Sequence, residues 1–457
     1  MSASAAPACR TPERQRHVAA LLPVVGGGLE VPLADGRSVV EYTNLDYAAS
    51  APALAAVAAR VEEVLPYYSS VHRGAGWTSQ ISTRLYEASR ARVAHFLGAR
   101  ADDVLVFTRN TTDALNLLAS AVPVGSGDVL VLEIEHHANL LPWLARPHRV
   151  LPVAGTLQRT LVALEQALAA TPTALLAVTG ASNVTGEELP IAHLAALAHT
   201  YGARIVVDGA QLAPHRRIDL QAAGVDYLAL SGHKLYAPYG AGALVGRRDW
   251  LDAAQPYLAG GGAVRAVEVG SVQWAPAPAR HEAGTPNVLG AVALAAACQT
   301  LAALPAGALE VHEERLRDRL VAGLRQLDGV RVQRLWDDCP SSIGVVTFTV
   351  DGYDPGLVAA VLSAEHGIGV RDGKFCAHPL LSRLGLEEGA VRASLGVGSS
   401  SDDVDRLLAA LGSLVEVGPA REYHLVEGRW APVHDRRALP SWLAGAPSGG
   451  PSPCQGA

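Results

Sequence analysis

Between residues 104 and 246 the chain repeats one pattern: a short apolar run, a polar turn, then a stretch with helical spacing. The apolar runs fall at 104–107, 129–132, 150–153, 174–179, 204–208, 225–230 and 242–245, and helical patterns at 114–121, 157–170 and 191–201 separate most of them. Runs this uniformly apolar belong to strands with both faces buried. That requires helices on either side and favours a mostly parallel sheet. The fold class expected is therefore α/β, with residues 41–290 as a large domain. In such a sheet, side chains that do chemistry sit just past the carboxyl ends of the strands.

The pattern does not extend over the whole chain. Residues 1–40 read as an N-terminal arm, with Gly26-Gly27-Gly28 as a loop rather than a phosphate nest. Residues 42–46 are strand-like, and 52–65 have helical spacing ended by Pro66. After about 290 the order changes to helices at 289–304 and 308–327, then strands at 330–332, 343–350, 368–371 and 391–395, with helices at 355–365 and 402–414. That α+β order predicts a second, smaller domain over 291–417. The remainder, 418–457, ends in GAPSGGPSPCQGA and is expected to be at least partly disordered, since such text cannot bury a core.

Composition narrows the class of protein. Of 457 residues, 49% are apolar and 18% charged, as in a well-buried globular enzyme. A net charge of −7 and a pI near 6.1 argue against a nucleic-acid partner. Five scattered cysteines without a CxxC pair support neither a disulfide framework nor a zinc ribbon. With no secretory signal and no apolar run of spanning length, a cytoplasmic protein free of membrane is expected.

Several loops carry candidate chemistry. In Ser231-Gly232-His233-Lys234 the lysine stands past a strand end, where an ammonium is either exposed or covalently used. Thr111 and Thr112 open a helix, as an anion site or as plain N-capping. His136 and His137 are adjacent and poorly placed to share a metal, so no metal is expected. One of them presenting its ring to a flat ligand, or acting as acid or base, is as natural. Asn183 follows a strand, in a site or in an Asx-turn. Asp208 ends a buried strand and needs a cation, from a ligand ring nitrogen or an internal arginine. Cys376 lies on a loop with Arg371, Lys374 and His378 as cationic neighbours in sequence, a setting that favours thiolate. Arg392, inside a strand, needs an anion such as a substrate carboxylate. The glycines at 240–246 imitate a dinucleotide fingerprint but fall inside a strand. A phosphate, a flat ring, a ring nitrogen and an aldehyde for lysine together describe pyridoxal 5'-phosphate, with Lys234 as its Schiff-base partner.

Nine ordered segments carry a resemblance: VHRGAGWTSQ, FTRNTTDALNLLA, EHHANLLPW, SNVTGEELPI, VDGAQLAPH, SGHKLYAPYGAGAL, HEAGTPN, VRDGKFCAHPL and VRASLG. The chain resembles the class V, fold-type I pyridoxal-phosphate enzymes, most closely the cysteine desulfurase/selenocysteine lyase group of Suf type. The resemblance implies that Lys234 anchors the cofactor, that His136 stacks on its ring and assists proton transfer, and that Asp208 pairs with its nitrogen. It gives the ring hydroxyl to Gln211 and the phosphate to Thr112, Ser231 and His233, beside Thr111. Thr285 would reach the partner subunit's phosphate, making a homodimer. Arg392 would take the carboxylate of L-cysteine, with His72, Asn183 and Arg371 around it, and Cys376 would form the persulfide that passes sulfur to an acceptor protein. The alternative reading is a class V aminotransferase or epimerase acting on another amino acid. Lys374-Phe375 departs from the two histidines usual before the cysteine in this group, which leaves substrate and acceptor open.

Overall fold

The computed structural model describes residues 17–443; residues 1–16 of the arm and the Pro/Gly/Ser tail from 444 lie outside the described residues. Two helices, α1 (Ala55–Val64) and α2 (Trp77–Phe96), precede the main sheet. The second was not expected from sequence. Its buried face is built from Ser79, Ser82, Tyr86, Ser89, Val93 and Phe96, so half the stripe is hydroxyl rather than hydrocarbon and the apolar period is lost. The serines are satisfied locally: Ser82 Oγ donates to the Tyr67 carbonyl (3.0 Å) and Ser89 Oγ to the Leu85 carbonyl (2.7 Å).

Seven strands form the main sheet: β1 (Val104–Thr108), β2 (Asp128–Leu132), β3 (His148–Leu151), β4 (Thr173–Thr179), β5 (Arg204–Asp208), β6 (Tyr227–Ser231) and β7 (Gly242–Gly246). Their spatial order is β1-β7-β6-β5-β4-β2-β3. Pairing is parallel from β6 across to β3, and β7 runs antiparallel to both β6 and β1. Side chains alternate between two apolar cores: Leu176, Val178, Ile205 and Val207 enter one, Leu175, Ala177 and Val206 the other. Burial on both faces is why these strands read as unbroken apolar runs. The edge strand β3 sits two residues earlier than expected, starting at His148 and Arg149, because an edge can carry polar residues.

Strand β7 is glycine-rich for a steric reason. Gly242 pairs with Ser231 on one side and Thr108 on the other. A Cβ on Gly242 would lie 2.5 Å from the Leu230 carbonyl oxygen and 2.7 Å from the Asn110 Cα. The bare backbone lets the turn after β1 close against the end of β6.

The second sheet orders β8 (Val330–Val332), β9 (Val345–Val350), β10 (Arg371–Gly373) and β11 (Ala390–Ser394) as β8-β9-β11-β10, all antiparallel. It shares a third core with helices Ala308–Leu324, Pro355–His366 and Ser401–Val417, through Leu316, Leu320, Val361, Leu362, Leu407 and Leu411. The single strand expected at 368–371 is two: Ile368–Gly369 pairs in parallel with Thr43–Asn44, and β10 follows. The stretch 43–46 is thereby tied to the second sheet while Ala51 amide donates to the His233 carbonyl (2.9 Å) beside the first.

The segments flanking this body are ordered where described. Glu30–Pro32 and Val39–Glu41 form a hairpin whose turn docks through the Ala34 amide on the Ala364 carbonyl (2.8 Å). In the described part of the C-terminal extension, Tyr423–Val426 and Arg429–Pro432 form a hairpin. Tyr423 Oη donates to Glu365 (2.9 Å) and Arg437 to Ser363 Oγ (3.1 Å), fixing it to helix Pro355–His366. Among the described residues no helix is long and apolar enough to cross a membrane.

Gly242→Ala is expected to destabilise the protein by about 1–3 kcal/mol, because the crowding falls on backbone that cannot rotate away. Chemical denaturation of the variant against the parent checks this; an unchanged midpoint would contradict the close approach.

Candidate active site

One cavity of about 270 Å³ opens where β1, β4, β5 and β6 end, closed from above by the loop after β10. Lys234, His136, Asp208, Gln211, Thr111, Thr112, Ser231, His233, Asn183, Arg371, Cys376 and Arg392 all line it. Lining residues spread over 344 positions of sequence thus meet at one point, Ala48 and Arg392 being the outermost.

Helix Thr111–Ala121 starts at the cavity, and the sequence left open whether its threonines were caps or ligands. The cap is Asn110, whose side chain accepts from the Asp113 amide (3.0 Å). Thr111 is tied to Ser231, its amide 2.8 Å from Ser231 Oγ and the two hydroxyls 2.8 Å apart. The helix N-terminus is therefore pinned to the end of β6, with Thr112 and His233 beside it on the cavity wall. Free amides at such a terminus favour an anion.

Lys234 follows immediately. Burial pushes its ammonium down to about 8, and the Asp208 carboxylate opposes that shift. Asp208 accepts from the Ala210 amide (2.9 Å) and is pushed up by its own burial, with Lys234 pulling the other way. Gln211 donates its amide to the Ala48 carbonyl (2.8 Å), but its Oε1 is buried without a hydrogen-bond partner. An orphaned acceptor at a cavity wall is costly unless a ligand donor meets it.

His136 accepts from the Ala138 amide at Nδ1 (3.0 Å), which leaves the proton of the neutral ring on Nε2. Burial, then Lys234, push its imidazolium down to about 3, so the ring is neutral. His137 does not join it. It stacks on His378, 4.8 Å between centroids at 7°, with Nε2 2.9 Å from His378 Nδ1. Just before these rings lies a carboxyl that no sequence pattern marks. Glu135 is fully buried, bonded to Asn139 Nδ2 (2.7 Å) and the Thr179 amide (3.0 Å), and burial pushes it up to about 8.

Cys376 and Phe375 both have positive φ, 53° and 52°, an uncommon region for residues with side chains. Three bonds hold them there: Asn183 Nδ2 to the Phe375 carbonyl (2.8 Å), the His137 amide to the Cys376 carbonyl (2.9 Å) and the Ala377 amide to the Lys374 carbonyl (3.0 Å). Of the cationic neighbours read from sequence, Arg371 shares the cavity wall with Cys376, while His378 turns to His137 and Lys374 lines a different groove beside Trp430. Arg392 is buried, and its Nη1 donates to the Asn183 carbonyl (2.8 Å) and its Nη2 to Asp46 (3.1 Å). The Phe375 ring lies 5.1 Å from the guanidinium carbon, while Nε is buried without a partner.

Two expected residues are not brought to the cavity. His72 is exposed and pairs with Glu87 (3.1 Å), and Thr285 is exposed in its loop. Among the described residues, no group of three or more His, Cys, Asp or Glu could hold a metal. Asn110, Asp46 and Phe375 are the neighbours that sequence reading missed; for Asn110 the Asn-x-x-Asp capping spacing was the available signal.

Residues 43–407 match the aminotransferase class-V family. The chain belongs to that family. Among its relatives, a probable cysteine desulfurase of Pseudomonas aeruginosa is 40% identical over 387 residues, covering 82% of this chain and 94% of the relative. A probable cysteine desulfurase of Vibrio cholerae is 35% identical over 395 residues, covering 83% and 96%. The solved cysteine desulfurase CsdA from Escherichia coli aligns with a TM-score of 0.73 at 34% identity, over 85% of this chain and 98% of that one. The apo cysteine desulfurase of Thermococcus onnurineus gives 0.76 at 33%, over 87% and 99%. The fold is that of the fold-type I enzymes of this family, with a mostly parallel central sheet and additional smaller sheets.

A free amine reacts and an ammonium does not, so labelling of Lys234 in the apoprotein by an acylating reagent should rise with pH about a midpoint near 8. Mass spectrometry of the labelled peptide across pH 6 to 11 reads this; a midpoint above 10 would remove the burial argument.

Proposed function

We propose that this protein is a pyridoxal-5'-phosphate-dependent cysteine desulfurase, converting L-cysteine to L-alanine and leaving the sulfur on Cys376. The observation that carries the reading is the sharing of one cavity by Lys234, with its amine near neutrality, and Cys376. The donor set suits the cofactor. Asp208 would take the ring nitrogen, the orphaned Gln211 Oε1 the ring hydroxyl, the neutral His136 the ring face, and Thr112, Ser231 and His233 the phosphate. When bound, the cofactor supplies an electron sink for bonds broken at the substrate's α and β carbons.

The chain's own residues do the rest. Arg392 holds the substrate carboxylate at the edge bearing its unpartnered Nε, which orients the amino acid. Lys234 accepts the α proton as its amine and later returns it. Cys376 attacks as thiolate at the substrate sulfur: an S–S bond forms, the Cβ–S bond breaks, and its electron pair stays with carbon. Protonated at Cβ, the carbon fragment leaves as alanine. The persulfide sulfur then passes to an acceptor thiol, on a protein or a small molecule.

The same reading covers organisation. Residues 41–290 act as the cofactor-binding domain and 291–417 as the smaller one. A homodimer is favoured because the exposed His72 and Thr285 lie clear of their own cavity and are available to a second copy's site. Cys298 and Cys339, both buried thiols, fit a reducing cytoplasm.

Cys376→Ala should retain the cofactor's visible absorbance and lose at least about a hundredfold of alanine formation from L-cysteine, with no persulfide on the protein. Lys234→Ala should lose both covalent cofactor attachment and turnover. Full alanine output from Cys376→Ala would sink the persulfide route, and a 2-oxo acid product from the parent enzyme would replace the reading with an aminotransferase.

A further inference from the structure

The guanidinium meant for the substrate carboxylate is not waiting empty. Arg392 is buried, donates through Nη1 to the Asn183 carbonyl, and carries the Phe375 ring against its face. Its Nη2 is 3.1 Å from Asp46 Oδ1, a carboxylate from the far side of the chain. Asp46 is itself fixed. Its amide donates to Asn44 Oδ1 (3.0 Å), its backbone bridges to Ser394 beside Arg392, and Ala48, two residues on, lines the cavity. Both charges of the pair are disfavoured by burial: Asp46 is pushed up despite Arg392, and Arg392 down despite Asp46. Each ion is thus imperfectly compensated, and Nε remains without a partner.

A guanidinium binds a carboxylate best through two parallel donors, and its side-on edge is Nε with Nη2. Here Nη2 is already engaged by Asp46. An incoming carboxylate must therefore share Nη2 with Asp46 or displace it, and meets the repulsion of a second carboxylate close by. We propose that Asp46 is a specificity-determining residue, a resident counter-anion that neutralises Arg392 in the free enzyme and weakens the site's grip on any carboxylate. The idea rests on the reading that Arg392 receives an amino-acid carboxylate. Its consequence runs opposite to that of a structural ion pair. Removing a structural partner loosens Arg392 and weakens binding; removing a competitor strengthens it. Substrate and product of the proposed reaction both carry the α-carboxylate, so a resident anion lowers affinity for alanine as well and favours its release.

The test uses the holoenzyme and Asp46→Asn, which keeps shape and removes charge, with Asp46→Glu as the charge-retaining control. Propionate, a carboxylate without the amino group, is titrated against each by calorimetry, and KM and kcat for L-cysteine are measured separately. Propionate should bind Asp46→Asn about tenfold more tightly than the parent, KM should fall with it, and Asp46→Glu should stay near the parent. Unchanged or weaker propionate binding in Asp46→Asn overturns the proposal, as does equal tightening in Asp46→Glu. If the amide variant does not fold, Asp46→Ser carries the same comparison at this partly exposed position. Because propionate binding needs no turnover, a failure of the desulfurase reading would appear as absent alanine formation in the parent and leave the titration decisive.

Discussion

A sheet sealed on both faces leaves polar chemistry nowhere to go but the ends of its strands. Ile205 and Val207 enter one core and Val206 the other, and the strand carries charge only at its ends, at Arg204 and, on the cavity side, at Asp208. The same happens at Ser231 before Lys234, and at Thr108 before the helix carrying Thr111 and Thr112. The site depends on that confinement. Its charges are few and poorly hydrated, and burial moves Lys234, His136 and Asp208 away from their values in water. Lys234 approaches neutrality, His136 stays unprotonated, and Asp208 is held against its own burial.

Confinement also explains why the second sheet matters. It contributes Arg371 from one strand end, Arg392 from mid-strand and Cys376 from a loop, and closes over the first sheet's edge. The stretch 43–46 lies on the second sheet's side, pairing with Ile368–Gly369 while its last residue reaches Arg392, and Ala51 just beyond it bonds to His233 beside the first sheet. The residues proposed for substrate recognition and those proposed for cofactor binding therefore come from different sheets, and their meeting depends on how the sheets pack.

How much of this was legible beforehand follows from where burial was apolar. The strands from β4 to β7 and the helices Leu157–Ala170 and Ile191–Thr200 announced themselves because their buried positions are hydrocarbon. Helix Trp77–Phe96 did not, since serines occupy its inner face. The C-terminal hairpin was unreadable for another reason: its residues are mostly exposed, and docking through Tyr423 and Arg437 leaves no periodic trace. In the site, Lys234, Asp208 and Arg392 were legible because an ion in an apolar run is conspicuous. Asp46 and Phe375 were not, since their roles lie in contacts made across about 346 and 17 positions of sequence. No spacing rule reaches across such gaps.

The bond from Asn183 Nδ2 to the Phe375 carbonyl has a further consequence, because the Asn183 carbonyl also holds Arg392. One residue thus clasps both the cysteine's loop and the arginine proposed to receive the substrate carboxylate. A displacement of the left-handed pair Phe375-Cys376 would break the first of these bonds, so the position of the cysteine's loop and the seat of Arg392 are coupled through a single residue.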